Sequence, residues 1–336
     1  MNPRTLVRKA GSACLSLGAR LHQWAAGSME PSPSPPSPRT AGESLALVAG
    51  YFSFPDGFAT FGDTESMKVV CRWLEDTDVR YDLACHHSNG VNGVDLAGVD
   101  PGRYDIFIFV CGPWRHTNTN LLGRFHHCVK IGVNLSIEDE SGQGFDLLYP
   151  RDLGGQSFPD LVLATEKDAR PKVGICLVHD QAEYGERQRH HHVRGVVEAL
   201  IEGGTIVPVF VDTLHADNPY GIPSASSLEA VLSGLDVLVS TRLHGMVFAL
   251  KMGVPVVAID AIAGRAKVTK QAKALGWPVV LGGDDLEVDL LADAIRTCLQ
   301  KGGRERARAV GQHAAPRIRA ISTRFKTDLQ KILQDR

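Results

Sequence analysis

The sequence predicts an α/β protein with two Rossmann-like domains and a cleft between them. Short apolar runs alternate with segments of helical periodicity from residue 44 onward, which is the pattern of a parallel sheet covered on both faces. The pattern restarts after Pro171, and 336 residues exceed the usual size of one hydrophobic core. We therefore predict a flexible tail and linker over residues 1–43, an N-terminal domain over 44–170 and a C-terminal domain over 171–336.

Residues 1–43 lack the composition of a folded core. Basic residues precede a short, weakly apolar stretch, and the Pro- and Ser-rich segment "SMEPSPSPPSPRTAGES" follows. Arg20 and His22 interrupt the apolar stretch, so we expect no cleaved signal peptide, while peripheral membrane contact through residues 1–27 stays open. Seven scattered cysteines without a CxxC pair favour a reducing compartment, and we expect a cytoplasmic protein.

The N-terminal domain begins with the short buried strand "SLALVAGY". Apolar residues on one helical face predict a helix over 64–75. The run "YDIFIFVCG" predicts a second strand, which a helix over 120–128 and the strand "VKIGVNLS" follow. Ligands bind such sheets at the carboxyl ends of the strands, so candidate residues are sought there.

Five strands and intervening helices are predicted for the C-terminal domain. The strands are "KVGICLV", "TIVPVFV", "DVLVS", "PVVAID" and "WPVVL". Helices are expected over 187–202, 226–233 and 266–276, directly after Ser240, and throughout 286–336.

An Arg and a His stand at the start of the helix that follows "DVLVS". Thr241 can cap this helix, whose first unpaired N–H groups attract an anion. Arg242 offers a planar fork to phosphate or carboxylate, and His244 offers a proton near neutral pH. Gly245 would let a ligand approach the backbone closely. The alternative is a surface Arg and a capped His without chemistry.

The block "STRLHGMVFALKMGVPVVAI" resembles the signature of the polysaccharide pyruvyl transferase family, with R-x-H-G at this turn and then G-x-P. Lys267 ahead of a Leu-Gly pair, and Asp63 after Gly62 at a helix start, extend the likeness to most of residues 45–300. The resemblance implies a two-domain fold similar to GT-B glycosyltransferases. It also implies a transferase that moves the enolpyruvyl group of phosphoenolpyruvate onto two sugar hydroxyls as a pyruvate ketal.

The same resemblance implies roles for the candidate residues. Arg242 and Lys267 would bind the donor's anionic groups, and His244 would act as an acid or as a hydrogen-bond donor to the phosphate. Thr241, Gly245 and Asp63 would contact substrate. The acceptor would be a glycan or a lipid-linked saccharide, as in exopolysaccharide biosynthesis, and no cofactor is expected.

Two further features concern the acceptor and the anion site. Trp114 and Arg115 follow an apolar strand, where they either face an acceptor sugar or simply pack in the loop. Val178 stands where many family members carry an Arg, so one anion ligand is missing. The candidate substitutes are His179, Arg187 and Arg189.

Several functions are excluded or kept as alternatives. A net charge of -2 gives no basic surplus for nucleic acid. The run His190–His192 does not suit a metal, because consecutive helical side chains diverge by about 100°. A catalytically silent glycan- or anion-binding homologue remains open because of Val178. A GT-B-type glycosyltransferase also remains open, although Phe248 stands where retaining members often carry a ribose-binding Glu.

Overall fold

The chain forms two compact units that divide after Lys167 in a computed structural model. The structure describes residues 37, 42–55, 59–77, 79–86, 92–115, 118–138, 144–178, 181–264 and 266–334. Almost all of the predicted tail, and His179, lie outside these residues. Each described unit is built on its own parallel sheet.

The N-terminal unit has a five-stranded sheet in the order β2-β1-β3-β4-β5, with every neighbouring pair parallel. Within the described residues, its strands and α-helices are β1 (Leu45–Gly50), α1 (Phe61–Asp76), β2 (Arg80–Leu83), β3 (Ile106–Trp114), α2 (Thr119–Arg124), β4 (Val129–Ile137) and β5 (Leu147–Pro150).

Both faces of this sheet are buried. In β1, Leu45, Leu47 and Ala49 belong to one apolar cluster, whereas Ala46 and Val48 belong to another that includes Met67 of α1. Because successive strand residues point to opposite faces, the continuous apolar run "LALVAG" supplies both clusters at once.

The C-terminal unit has a second parallel sheet in the order β10-β9-β8-β6-β7. Its elements are β6 (Lys172–Cys176), α3 (His190–Glu202), β7 (Val207–Phe210), α4 (Ala225–Ser233), β8 (Val237–Ser240), α5 (Leu243–Lys251), β9 (Val256–Asp260), α6 (Lys267–Leu275), β10 (Val280–Gly282), α7 (Val288–Leu299) and α8 (Gly303–Gln334).

The predicted α/β class, with a parallel sheet in each of two units, is confirmed. The sequence patterns missed β2 because "RYDL" is short and largely polar, and β5 because "LLYP" has only four residues and ends in a Pro. The helix predicted over 120–128 is shorter than expected and ends at Arg124.

The last helix, α8, changes character along its length. Ala307 and Val310 are buried against the core of the C-terminal unit. Pro316 lies inside the helix, and every residue from Pro316 to Gln334 is exposed. None of the helices in the described residues is long and apolar enough to cross a membrane.

Candidate anion site at the carboxyl edge of the C-terminal sheet

The helix that carries the Arg-x-His-Gly segment begins directly after strand β8. Arg242 is its N-cap residue, with extended backbone angles, and α5 runs from Leu243. Thr241 does not cap this helix, contrary to the sequence-based expectation. Its hydroxyl instead accepts a hydrogen bond of 2.7 Å from the backbone N–H of Val178, which ties the ends of β8 and β6 together.

Asp212, which follows the edge strand β7, holds the Arg242 side chain. The Nε atom of Arg242 lies 2.9 Å from Oδ1 of Asp212, and Nη2 donates to Oδ2 at 3.1 Å. The Arg242 side chain is 17% exposed and that of Asp212 only 2%. The hydrogen bond from Nη2 and the close approach of Nε to the second oxygen orient the guanidinium, although the geometry at Nε is not that of a hydrogen bond. Within the described residues Nη1 has no hydrogen-bond partner.

The first turn of α5 presents free backbone donors beside this guanidinium. Ser240 accepts from the N–H of Arg242, but no described residue accepts from the N–H groups of Leu243, His244 or Gly245. His244 is exposed, and its ring makes no hydrogen bond within the described residues. An Arg fork, a His ring and the positive end of a helix therefore share one surface.

Gly245 has a packing role that the sequence pattern did not predict. A Cβ atom at this position would lie 2.5 Å from Oγ of Ser240 and 3.0 Å from Sγ of Cys176. The glycine therefore lets α5 pack closely on the ends of β8 and β6, and close approach of a ligand is not needed to explain it. This packing places the helix start directly over the sheet.

Two buried residues support the site from below. Val178 stands where the family resemblance predicts an Arg. Its apolar side chain is buried and offers an anion no charged group. Burial, with a smaller contribution from the carboxylate of Asp212, raises the pKa of the Cys176 thiol to about 12. Cys176 is therefore a neutral packing group at the edge of the site.

Lys267 lies on the same sheet edge, after the neighbouring strand β9. It is the first residue of α6, and its ammonium stands 5.9 Å from the centre of the Tyr184 ring. The guanidinium of Arg187 lies 5.7 Å from the centre of the same ring. The ring of Tyr184 is thus contacted by two exposed cations. The backbone carbonyl of Arg187 accepts a hydrogen bond from the N–H of Ala263 in the β9–α6 loop.

Arg189 differs from Arg187 because its donors are used within the protein. Its guanidinium pairs with Asp284 at 2.8 Å and donates to the carbonyls of Glu186 and Gln188. Of the two substitutes that the structure describes, Arg187 is the exposed one, and it contacts the same Tyr184 ring as Lys267. His179 lies outside the described residues.

The candidates in the N-terminal unit have structural partners. Asp63 is buried at the third position of α1, and its Oδ2 accepts from both the backbone N–H and the hydroxyl of Thr60, at 2.7 and 2.8 Å. Thr60 and Asp63 form a capping box, which accounts for the carboxylate without a substrate.

Trp114 does not face solvent, so it has no ring face for an acceptor sugar. It is 0% exposed and packs edge-on against Phe109 and Phe145. The expected strand "YDIFIFVCG" continues two residues further, and this extension carries the Trp into the core. The adjacent Arg115 is exposed and pairs with Glu138 at 2.5 Å.

Sequence reasoning missed Asp212 and Tyr220. Asp212 directly follows the run "TIVPVFV", so a carboxylate at a strand end was the available signal. Tyr220 stacks on Phe210, and burial together with the nearby Asp212 raises the pKa of its phenol. No feature of the local sequence around residue 220 marks this position as part of the edge.

Residues 159–261 match the family model described as polysaccharide pyruvyl transferase. This match confirms the resemblance predicted from the R-x-H-G block. The matched segment includes Asp212, Arg242 and His244, whereas Lys267 and the candidates of the N-terminal unit fall outside it. A comparison with curated proteins found no match.

Three solved structures align with the chain at low identity. Spinosyn rhamnosyltransferase SpnG complexed with thymidine diphosphate is 12% identical, with 80% of this chain and 95% of that chain covered and a TM-score of 0.31. The UDP-GlcNAc 2-epimerase of Methanocaldococcus jannaschii is 9% identical, with 82% of this chain and 99% of that chain covered and a TM-score of 0.29. The glycosyltransferase SnogD from Streptomyces nogalater is 14% identical, with 83% of this chain and 99% of that chain covered and a TM-score of 0.28. The fold assignment rests on the two parallel sheets and not on these alignments.

Proposed function

We propose that the chain is a pyruvyl transferase that binds phosphoenolpyruvate at the carboxyl edge of its C-terminal sheet. The observation that carries this proposal is the Asp212–Arg242 pair, which holds a guanidinium at the open start of α5 beside His244. All three residues lie in the segment that matches the family. The acceptor in this proposal is a glycan or a lipid-linked saccharide.

The proposed reaction forms a pyruvate ketal. The methylene carbon of phosphoenolpyruvate gains a proton, one sugar hydroxyl adds to the adjacent carbon, and inorganic phosphate leaves. A second hydroxyl of the same sugar then closes the ketal, so two C–O bonds form and one C–O bond to phosphate breaks. The two hydroxyls release two protons, which balance the one gained by the methylene carbon and the one that leaves with the phosphate. In this scheme His244 supplies a proton to the methylene carbon or to the departing phosphate.

The donor carries a phosphate and a carboxylate, and the edge offers donors for both. Nη1 of Arg242 and the N–H groups at the start of α5 suit one anionic group. Lys267 and Arg187, gathered by Tyr184, suit the other and would replace the missing Arg at Val178. The pairing with Asp212 cancels part of the charge of Arg242, so this arrangement needs the second pair of cations.

A silent anion-binding homologue is the second candidate. It is favoured by the buried Val178 and by the partial neutralisation of Arg242. A cytoplasmic location and membrane contact through residues 1–27 rest on sequence alone and remain proposals.

Calorimetric titration with phosphoenolpyruvate tests the donor site. We expect saturable binding that weakens about ten- to a hundredfold in Arg242→Ala, and also in the Lys267→Ala variant, because charged hydrogen bonds contribute about 1.5–3 kcal/mol each. Arg296→Ala is the control, since its exposed guanidinium pairs with Asp293 and with no other residue that the structure describes. Absence of binding in the wild type would argue against the proposal.

His244→Ala separates an enzyme from a silent binder. With a candidate glycan present, a transferase should release phosphate from the donor, and the variant should lose most of this turnover while it keeps most of its affinity. If the wild type binds the donor but releases no phosphate with any glycan, and His244→Ala behaves identically, the silent binder is favoured.

A further inference from the structure

The second half of α8, residues 317–334, is an amphipathic helix with an exposed apolar stripe. Six large apolar side chains on this half are between 44% and 68% exposed: Ile318, Ile321, Phe325, Leu329, Ile332 and Leu333. At about 100° per residue they fall within an arc of roughly 120°. Large apolar side chains grouped in this way indicate an interaction surface.

Basic residues border the stripe on both sides. Arg317, Arg324 and Lys331 recur every seven residues along one border, and Arg319 and Lys326 do so along the other. Asp328 is the only acidic residue in 317–334, and it pairs with Arg324 at 3.5 Å. The polar flanks of the stripe are therefore strongly cationic.

The charge pattern disfavours self-pairing through this stripe. If Ile318 and Phe325 take the first position of a heptad, Asp328 occupies a seam position and Arg317, Arg324 and Lys331 occupy the flanking g position. The facing e positions hold Ser322 and Leu329, so a parallel pair offers these cations no carboxylate. An antiparallel pair places cation against cation.

An anionic lipid surface satisfies both features of this helix. The apolar stripe enters the boundary between headgroups and acyl chains, while long basic side chains on its borders reach the phosphates. Arg317 donates to the carbonyl of Ala274 at 2.7 Å, which ties the start of the exposed half to the end of α6. The helix is therefore anchored on the C-terminal unit and presents its stripe outward.

We propose that residues 317–334 of α8 dock the protein on anionic membranes. This inference does not depend on the donor or on turnover, and it concerns a different segment from residues 1–27. It fits an enzyme whose acceptor is attached to lipid, but a failure of the proposed reaction would leave it unaffected.

Vesicle flotation of the full chain tests the proposal. The wild type should float with phosphatidylcholine vesicles that contain about a quarter phosphatidylglycerol, and not with phosphatidylcholine alone. In about 1 M NaCl, where charges are screened beyond about 3 Å, anionic binding should fall sharply. Binding to both vesicle types, or to neither, would overturn the proposal.

Matched variants locate the surface. Ile321→Ser with Phe325→Ser should weaken binding about tenfold or more, because two apolar contacts with the lipid are lost. Arg324→Gln with Lys331→Gln should weaken binding at low salt. Phe61→Ser is the control, since Phe61 is 91% exposed on α1 of the other unit, and its binding should match that of the wild type. Unchanged melting temperatures would show that the exposed substitutions leave the fold intact.

Three further outcomes would overturn the assignment to α8. Equal flotation of the stripe variant and the wild type would exclude this helix. Binding that is lost only when residues 1–27 are removed would assign membrane contact to the N-terminal segment. A wild type that elutes as a dimer, together with a stripe variant that elutes as a monomer and a wild type that does not float, would assign the stripe to a second copy.

Discussion

The carboxyl edges of the two sheets differ in whether their side chains have partners inside the protein or are exposed. At the carboxyl edge of the sheet in the N-terminal unit, Asp63 accepts a hydrogen bond from Thr60, and Asn134 donates one to Ser66 at 3.0 Å. Trp114 at the same edge lies in the core. At the carboxyl edge of the sheet in the C-terminal unit, His244 and Lys267 are exposed, and the first N–H groups of α5 have no acceptor among the described residues.

The difference shows that a position at a strand end predicts where a side chain lies, but not whether that side chain is free to bind a ligand. Both edges belong to parallel sheets with apolar strands, so the sequence pattern treats them alike. What separates them is the number of internal partners that each side chain finds. A polar group with its bonding capacity filled inside the protein has little left for a ligand.

The strongest test of this comparison is the Trp114→Ala variant. The indole is fully buried between two Phe rings, so its loss should lower the free energy of unfolding by about 3–5 kcal/mol. Arg115→Ala, next in the chain but exposed, should change it by about 0.5 kcal/mol or less. Urea denaturation followed by circular dichroism measures both. If Trp114→Ala left the free energy of unfolding unchanged, the ring would not lie in the core, and a contact with the acceptor sugar would again be a candidate role.

The Asp212–Arg242 pair should couple strongly in a double-mutant cycle. Asp212→Ala leaves a partly buried guanidinium without its partner and should destabilise the fold by about 2–3 kcal/mol, below the range for fully buried pairs because Arg242 keeps some exposure. Asp293→Ala, at the exposed Asp293–Arg296 pair, should have little effect. Additive effects of the Asp212 and Arg242 substitutions would show that the pair does not hold the site.

Gly245→Ala tests whether packing or ligand approach requires the glycine. The added methyl would meet Ser240 and Cys176, so we expect a loss of about 1–3 kcal/mol without any ligand. The loss should shrink when the substitution is made in a Ser240→Ala background. In the control, Gly195→Ala, no described residue outside the adjoining turns of α3 lies within 4 Å of the added methyl, so that variant should be stable. A stable Gly245→Ala that binds ligand poorly would instead favour close ligand approach.

The smallest effect is expected at the start of α1. Asp63→Ala should cost about 1 kcal/mol, the usual effect of losing a helix cap, and should leave the affinity for phosphoenolpyruvate unchanged. Thermal melting and calorimetric titration of the same preparation provide the two values. Loss of donor affinity without loss of stability would restore a substrate role for Asp63.

The sequence by itself determined the α/β class, the parallel sheets and the position of the Arg-x-His-Gly turn. These features follow from local patterns, since a strand buried on both faces must be continuously apolar and a helix that follows it must begin at the sheet edge. Arg242 and His244 were identified in this way, whereas Lys267 was proposed from the resemblance to the pyruvyl transferase family. The strands β2 and β5 were missed because four residues carry little of this signal, and β2 is in addition largely polar.

Only the tertiary structure decided which of these residues have partners. Asp212 and Arg242 are thirty positions apart, and Tyr184 and Lys267 come together only because the segment before α3 lies along the β9–α6 loop. Contacts of this kind depend on strand order, which brings β7, β6, β8 and β9 side by side. No local pattern encodes that order, because the side-chain periodicity of a strand is the same whichever neighbour it pairs with.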